Sequence, residues 1–426
     1  MSAVLLFGIF FALLFLNVPI AMSLGVSSII TTMAVKPAMM STIAANLYSS
    51  TNTYVLLAIP FFILAGNIMD VSGISVRLIN FFNSLVGHTK HGTAMVCVIV
   101  ACFFAAISGS GPATVAALGG ILIPAMSKSG YEKDTSAALM STAGAIGIVI
   151  PPSITFVVYG SVTGTSVGDL FMAGIIPGIL IGVAIYFTMV ISSRGCNLVR
   201  QPKASGKERW KAFGDAVWGI LMPVIILGGI FSGIFSITEA SGVAVVYSAI
   251  IAFFVNRSVK LKDIPDMIIE AASTSGLVLI LAGAGTAMAW GIANERVMSL
   301  LIEPLSQMPQ WAFLLLVNVL LIVCGMFMDD YASTVILAPI IAPIAWAIGI
   351  NPLHIGLVFC INLVVGLATP PFGVTLFVTS PIAGVRIEET AKEALPFLLT
   401  TIAILLLVTF IPDLALWLPE SMGYLS

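Results

Sequence analysis

GIVIPPS, residues 147–153, interrupts an apolar stretch running from about Ser136 to Tyr159 with two adjacent prolines. A proline inside a helix removes a backbone donor and clashes with the preceding turn, so a pair of them breaks the helix. The same break recurs 219 residues later, where residues 366–373 read GLATPPFG. At that shift Pro151 and Pro152 fall on Pro370 and Pro371, and Gly147 falls on Gly366. Further out, Pro124 meets Pro343, Gly130 meets Gly349 and Pro177 meets Pro396. The register implies an internal duplication. Interrupted hydrophobic segments at matching positions of two halves point to the binding site of a secondary transporter.

Of the 426 residues, 59% are hydrophobic and 8% charged, and the mean hydropathy is +1.13. Water-soluble domains are about one quarter charged. Apolar runs long enough to span a bilayer, about 20 residues, recur from Val4 to Leu418. The reading is an all-α polytopic membrane protein without a soluble domain. The apolar N-terminus lacks a basic leader, so it is read as a retained first helix rather than a signal peptide. The five cysteines show no metal or redox spacing and read as small buried hydrophobes.

Basic residues orient the chain, because cytoplasmic loops collect Lys and Arg. The densest group is Arg194, Arg200, Lys203, Lys207, Arg209 and Lys211, in a polar segment between the halves. Taken as a cytoplasmic linker (194–212), it separates a first repeat (1–193) from a second (213–426). Counting spans outward puts Arg77, Lys90, Lys128, Lys133, Arg257, Lys260, Lys262, Arg386 and Lys392 on the same inner face. Only Lys36 and Arg296, of 17 basic residues, are then left outside. Chance proline matches in an ordinary bundle do not account for that split. The expected architecture is two inverted-topology repeats, each of about five transmembrane helices plus a re-entrant hairpin and a broken helix, with both termini periplasmic.

Each half also carries a second break. Residues 108–114 read SGSGPAT within apolar sequence, which cannot sustain a helix. Irregular backbone survives at membrane depth only inside protein or beside water, so this run is read as a hairpin tip rather than a GxxxG-type helix contact. The second tip, residues 325–333, reads GMFMDDYAS and places Asp329 and Asp330 opposite Ser110 and Gly111. Two carboxylates at that depth are costly unless paired, coordinated or hydrated, which makes them candidate ligands. Unpaired carbonyls and hydroxyls suit a hard cation such as Na⁺, and half-helix N-termini suit a carboxylate.

At these residues the chain resembles the large membrane subunit of the tripartite ATP-independent periplasmic (TRAP) transporters. The resemblance covers essentially the whole length and rests on SGSGPAT, GIVIPPS, MDDYAS, GLATPPFG and IPFFILAG at residues 59–66. It implies an elevator-type transporter performing Na⁺-coupled uptake of an organic acid across a bacterial inner membrane. It also implies two protein partners, a small four-helix membrane subunit expected as a separate chain and a periplasmic substrate-binding protein. The resemblance places the first cation among oxygens of Ser108, Ser110, Gly147, Ile150 and Pro152. A mirror site would use Gly325, Asp329, Gly366 and Thr369, with substrate touching Ser110, Ser153, Thr155 and Asp330. Sialic acid is the expected substrate, because hydroxyls without a mid-span Arg or Lys suit a bulky hydroxylated monoacid; C4-dicarboxylates are the alternative.

Rival classes fare worse. The chain has no GxxxxGK[ST] loop for nucleotide. A serine protease built on Ser110 needs a base within reach, and His88, His91 and His354 fall outside the break regions. Adjacent Asp329 and Asp330 diverge rather than form a dyad, so no enzyme is expected. A channel remains the nearer rival, since paired hairpins also build pores.

Overall fold

The computed structural model describes residues 2–294, Leu305 and residues 307–423, and every regular element within them is helical. Arg296 lies outside the described residues. The first half opens with α1 (Ser2–Phe15), α2 (Ile20–Val35), α3 (Met40–Thr51), α4 (Ala58–Val71) and an amphipathic α5 (Ile74–Val86). A hairpin of α6 (Gly92–Ser108) and α7 (Gly111–Lys128) follows, then the interrupted pair α8 (Lys133–Ala145) and α9 (Ile154–Thr163), then α10 (Val167–Ser192). The second half runs α11 (Gly206–Phe231), α12 (Ile237–Ile250) and α13 (Ile264–Asn294). After them come the hairpin α14 (Gln310–Phe327) and α15 (Asp330–Ala347), the interrupted pair α16 (Pro352–Leu367) and α17 (Val374–Ala383), then α18 (Ile387–Phe410) and α19 (Asp413–Ser421). Among the described residues, 8 helices are long and apolar enough to cross a membrane.

The breaks have local causes. Helix α8 tightens into a 3₁₀ turn at Ile146–Ile148 and stops before Pro151 and Pro152; the chain restarts at Ser153, whose hydroxyl caps α9 by accepting from the Phe156 N–H. Pieces of 13 and 10 residues are each too short to span, since a crossing needs about 20. The first hairpin turns because Gly109 adopts a left-handed conformation, φ +64°, that ends α6, while Pro112 enters the first turn of α7 where its missing N–H costs nothing. At the second tip no glycine is needed. Met328 is extended, and the Asp329 carboxylate caps α15 by accepting from Ala332 N–H at 2.6 Å.

Element bounds repeat at the shift of 219: α7 displaced by that amount covers residues 330–347, the bounds of α15. The opening helices of the halves are less alike. Where α13 is one 31-residue helix, the first half breaks its equivalent at residues 52–57 into α3 and α4. The linker passes into helix at its end, around Trp210. Ser205 and Glu208 form a capping box that starts α11 at Gly206, so residues 206–212 are its first turns and only 194–205 are non-helical or turn.

Several hydrogen bonds join segments near the basic residues. Val199 N–H donates to Ser129 O, Gln201 N–H to Gly87 O, Asn256 Nδ2 to Ser72 O and Thr135 Oγ1 to Glu393. Two groups of helices emerge. Helices α6–α10 and α14–α19 are cross-linked between halves by Ser141–Thr375 at 2.8 Å, Thr188–Thr400 at 2.7 Å and Thr155–Asp330 at 2.5 Å. Helices α1–α5 pack with α11–α13, where Thr238 Oγ1 donates to Tyr54 O at 2.9 Å. The groups meet closely at Gly285, where an added Cβ would fall 1.7 Å from a methyl of Val335. The glycine-rich run 281–291 thus serves two contacts, since Gly283 faces Thr51 and Leu47 within its own group.

Candidate functional site

Both tips and both breaks converge in the interior. In the first half, the Gly109 carbonyl accepts from Ile154 N–H at 3.1 Å, clamping the hairpin to the start of α9. A side chain at Gly109 would meet the Pro152 carbonyl at 2.9 Å, and one at Gly147 would meet the Ser110 carbonyl at 3.2 Å. Within the tip, the hydroxyls of Ser108 and Thr114 lie 2.9 Å apart, and Thr114 Oγ1 donates to Ser110 O at 2.8 Å. Ser108, Ser110, Gly147 and Pro152 are therefore neighbours. The Ile150 N–H bonds to Ile146 O, and its side chain packs at Gly178 of α10.

The second half repeats the crossing more tightly. Gly325 and Gly366 pack backbone to backbone, so that a Cβ at Gly366 would lie 2.6 Å from Gly325 Cα. Thr369 turns its hydroxyl back to Val365 O at 2.5 Å, and Thr375 Oγ1 reaches Leu367 O at 2.8 Å. Asp329 spends one carboxylate oxygen on its cap, while buried Asp330 accepts from Thr155 Oγ1 of α9. That bond joins the second hairpin to the first broken helix, and Tyr331 lines the same cavity as Ser110 of the first tip.

Between the tips lies a cavity of about 470 Å³. Ser108, Ser110, Asp329, Asp330 and Tyr331 close one side; Asn67 and Asp70 of α4 with Glu270 and Thr274 of α13 line the other. Among the described residues, neither lysine nor arginine lines it. Four carboxylates facing one cavity without a fixed cation repel each other and attract mobile cations. Hydroxyls and tip backbone supply the remaining polar surface.

Of the four expected substrate contacts, Ser110 and Asp330 line this cavity. Thr155 is fully buried behind it, bonded to Asp330, and acts by holding that carboxylate. Ser153 is also fully buried, its hydroxyl committed to Ile148 O and to the cap of α9. Asn67, Asp70, Glu270 and Thr274 were not singled out by sequence. Their signal is nonetheless present: Asn67 and Asp70 lie three apart on α4, Glu270 and Thr274 four apart on α13, so each pair shares a face of an otherwise apolar helix. His354 is buried and bonds Val408 O at 2.9 Å, far in sequence and fold from Ser110. Glu239 is exposed and occupied in a capping box with Ser236.

A multi-pass, all-helical chain whose two halves enclose a central polar cavity is, in class, a membrane permease. Residues 7–414 match the family described as the tripartite ATP-independent periplasmic transporter, DctM component. The C4-dicarboxylate TRAP transporter large permease protein DctM of Pseudomonas aeruginosa is 41% identical over 94% of this chain and 94% of that protein. The sialic acid TRAP transporter large permease protein SiaM of Vibrio cholerae is 33% identical over 97% of both. The isethionate TRAP transporter permease protein DctMQ of Oleidesulfovibrio alaskensis is 40% identical over 97% of this chain but 65% of its own length. The fold is also that of the YdaH transporter of Alcanivorax borkumensis, with a TM-score of 0.61 at 14% identity over 91% of this chain and 89% of that one. The chain belongs to the DctM family of TRAP transporter large permeases, and it is a transporter subunit rather than an enzyme.

Proposed function

We propose that this permease couples inward movement of Na⁺ to uptake of a small organic anion across the bacterial inner membrane. The observation that carries the reading is the central cavity, walled by both hairpin tips and lined, among the described residues, by carboxylates and hydroxyls but no basic side chain. An anion held there needs countercharge, and co-bound cations at the tips supply it where a fixed arginine would have to be dragged through the membrane. Na⁺ would sit at the Ser108–Ser110–Gly147–Pro152 neighbourhood and at the Gly325–Gly366 crossing, with Asp329 and Thr369 beside the latter. Ordering the two tips around Na⁺ completes the anion site. The hairpin-bearing group then slides against α1–α5 and α11–α13 as an elevator. The small membrane subunit and a periplasmic binding protein complete the system, with the termini periplasmic and the linker cytoplasmic.

For the substrate we place a C4-dicarboxylate first. Relatives at 41%, 37% and 38% identity carry that name. Sialic acid comes second, favoured by the hydroxyl lining at Ser108, Ser110 and Thr274. Charge movement tells the two apart in mechanism. Two Na⁺ with a monoanion carry one net positive charge, worth about 2.3 kcal/mol per 100 mV, whereas two with a dianion carry none.

The test is uptake into proteoliposomes holding this chain, its small subunit and external binding protein, under a Na⁺ gradient or a K⁺ control. Saturable, Na⁺-requiring uptake of succinate supports the whole reading, and uptake of sialic acid alone replaces the substrate. Uptake indifferent to Na⁺ overturns the coupling, and rapid non-saturating flux without the binding protein means a channel.

A further inference from the structure

A chain of buried side chains in the second half has no counterpart in the first. Asn362 of α16 donates through Nδ2 to Asn318 Oδ1 of α14 at 2.8 Å and to Val358 O at 2.8 Å. Asn318 Nδ2 donates to Thr409 Oγ1 of α18 at 3.1 Å, and Thr409 donates to Leu405 O at 2.7 Å. All three residues are buried. At the 219 shift their equivalents are Ala143, Ile99 and Val190, all apolar.

The ladder has two ends. Thr409 lines a pocket of about 340 Å³ beside Gln310, Asn351 and His354, at the base of the second hairpin, a position opposite the linker in the topology proposed above. At the other end, Asn362 Oδ1 is fully buried with no hydrogen-bond partner among the described residues. Both amide hydrogens of Asn362 point at oxygens, which fixes the orientation and leaves the open group as an acceptor. A buried orphan acceptor is costly to keep. It can be satisfied by a cation or a water but not by an anion. Asn362 stands one helical turn before Gly366 on α16.

We infer that Thr409, Asn318 and Asn362 form the inlet through which the monovalent cation of the second half reaches the Gly325–Gly366 crossing, with Asn362 Oδ1 as its transit ligand. The inference rests on the Na⁺ coupling proposed above. The pocket admits the hydrated ion, and the amide and hydroxyl oxygens replace its water in steps. The first half has only an apolar wall at these positions, so its cation must arrive through the central cavity instead. The two cation sites then fill by different routes.

The test is a stopped-flow Na⁺ jump on the reconstituted complex, followed by intrinsic tryptophan fluorescence, with Na⁺ added on the pocket side or on the linker side. The variants are Asn318→Leu/Asn362→Leu, which leaves no orphan amide, and the near-isosteric Thr409→Val, which keeps the test available if the double variant does not fold. The inlet predicts that the pocket-side association and dissociation rates fall together by about tenfold, because a barrier and not an end state is changed, while Kd and the linker-side response hold. Unchanged pocket-side rates overturn it. A weakened Kd also overturns it, since the asparagines would then be ligands of the site. Absence of any Na⁺ response in the unaltered complex fails the coupling itself, which is distinguishable from a defect confined to the variants.

Discussion

Asp330 is the residue on which the two halves depend most directly. Its carboxyl accepts from Thr155 across the junction between the second hairpin and the first broken helix, and it also lines the cavity. Thr155→Val keeps the shape and deletes the donor, leaving a buried acceptor unsatisfied at about 1–3 kcal/mol. We expect uptake to fall by an order of magnitude or more in proteoliposomes, with Thr155→Ser restoring most of it; full activity in Thr155→Val would remove the positioning role. The backbone crossing makes a second prediction. Gly366→Ala puts a methyl 2.6 Å from Gly325 Cα, and such overpacking costs about 1–3 kcal/mol. Thermal unfolding of the purified complex should show a clear loss, whereas Gly276→Ala, which has open space around it, should be neutral or slightly stabilising. At this scale the sequence was only partly legible. Ser110 and Asp330 announced themselves because polar residues at a helix break need a reason to be there. Ser153 carried the same signal and serves instead as a cap, since a hydroxyl after a break can satisfy either role. Asn67, Asp70, Glu270 and Thr274 stayed hidden because their helices are unbroken, and only packing shows that α4 and α13 face each other across a cavity.

Elements were far easier to read. Prolines and glycines mark helix ends whatever the tertiary context, and helices end near Gly109, Met328 and both double prolines. The polar linker of the sequence ends in a turn around Trp210, and that turn belongs to α11, where Lys207, Arg209 and Lys211 follow the Ser205 cap. Ser205→Ala should cost about 1 kcal/mol of local stability, seen as faster amide exchange over residues 206–210 with uptake unchanged. The double prolines have the opposite profile. Pro151→Ala/Pro152→Ala allows α8 to continue toward α9, which withdraws the carbonyls offered beside Gly109 and Ser110. We expect the complex to remain folded, by size-exclusion chromatography, but to lose Na⁺-dependent uptake; retention of normal uptake would mean the break is not part of the site.

On the scale of the whole molecule, the helices divide into a hairpin-bearing group and a group of α1–α5 with α11–α13 that packs against it. Whether these slide past one another can be asked at Gly285 and Val335, where the groups touch. In a cysteine-free background, a Gly285→Cys/Val335→Cys pair has its Cβ positions about 3.1 Å apart, close to disulfide geometry of roughly 3.5–4.5 Å. Oxidation should abolish uptake and reduction restore it, while a pair at Ser141 and Thr375, inside one group, should transport in both states. The central claim is that Na⁺ and the anion share the cavity between the two tips. It is tested most directly by cryo-electron microscopy of the permease with its small subunit in saturating Na⁺ and succinate. The account predicts anion density against Ser110 and Asp330, facing Asn67, with cation density at the Gly147 and Gly366 crossings. Density for the anion elsewhere, with this cavity holding only water, would contradict it.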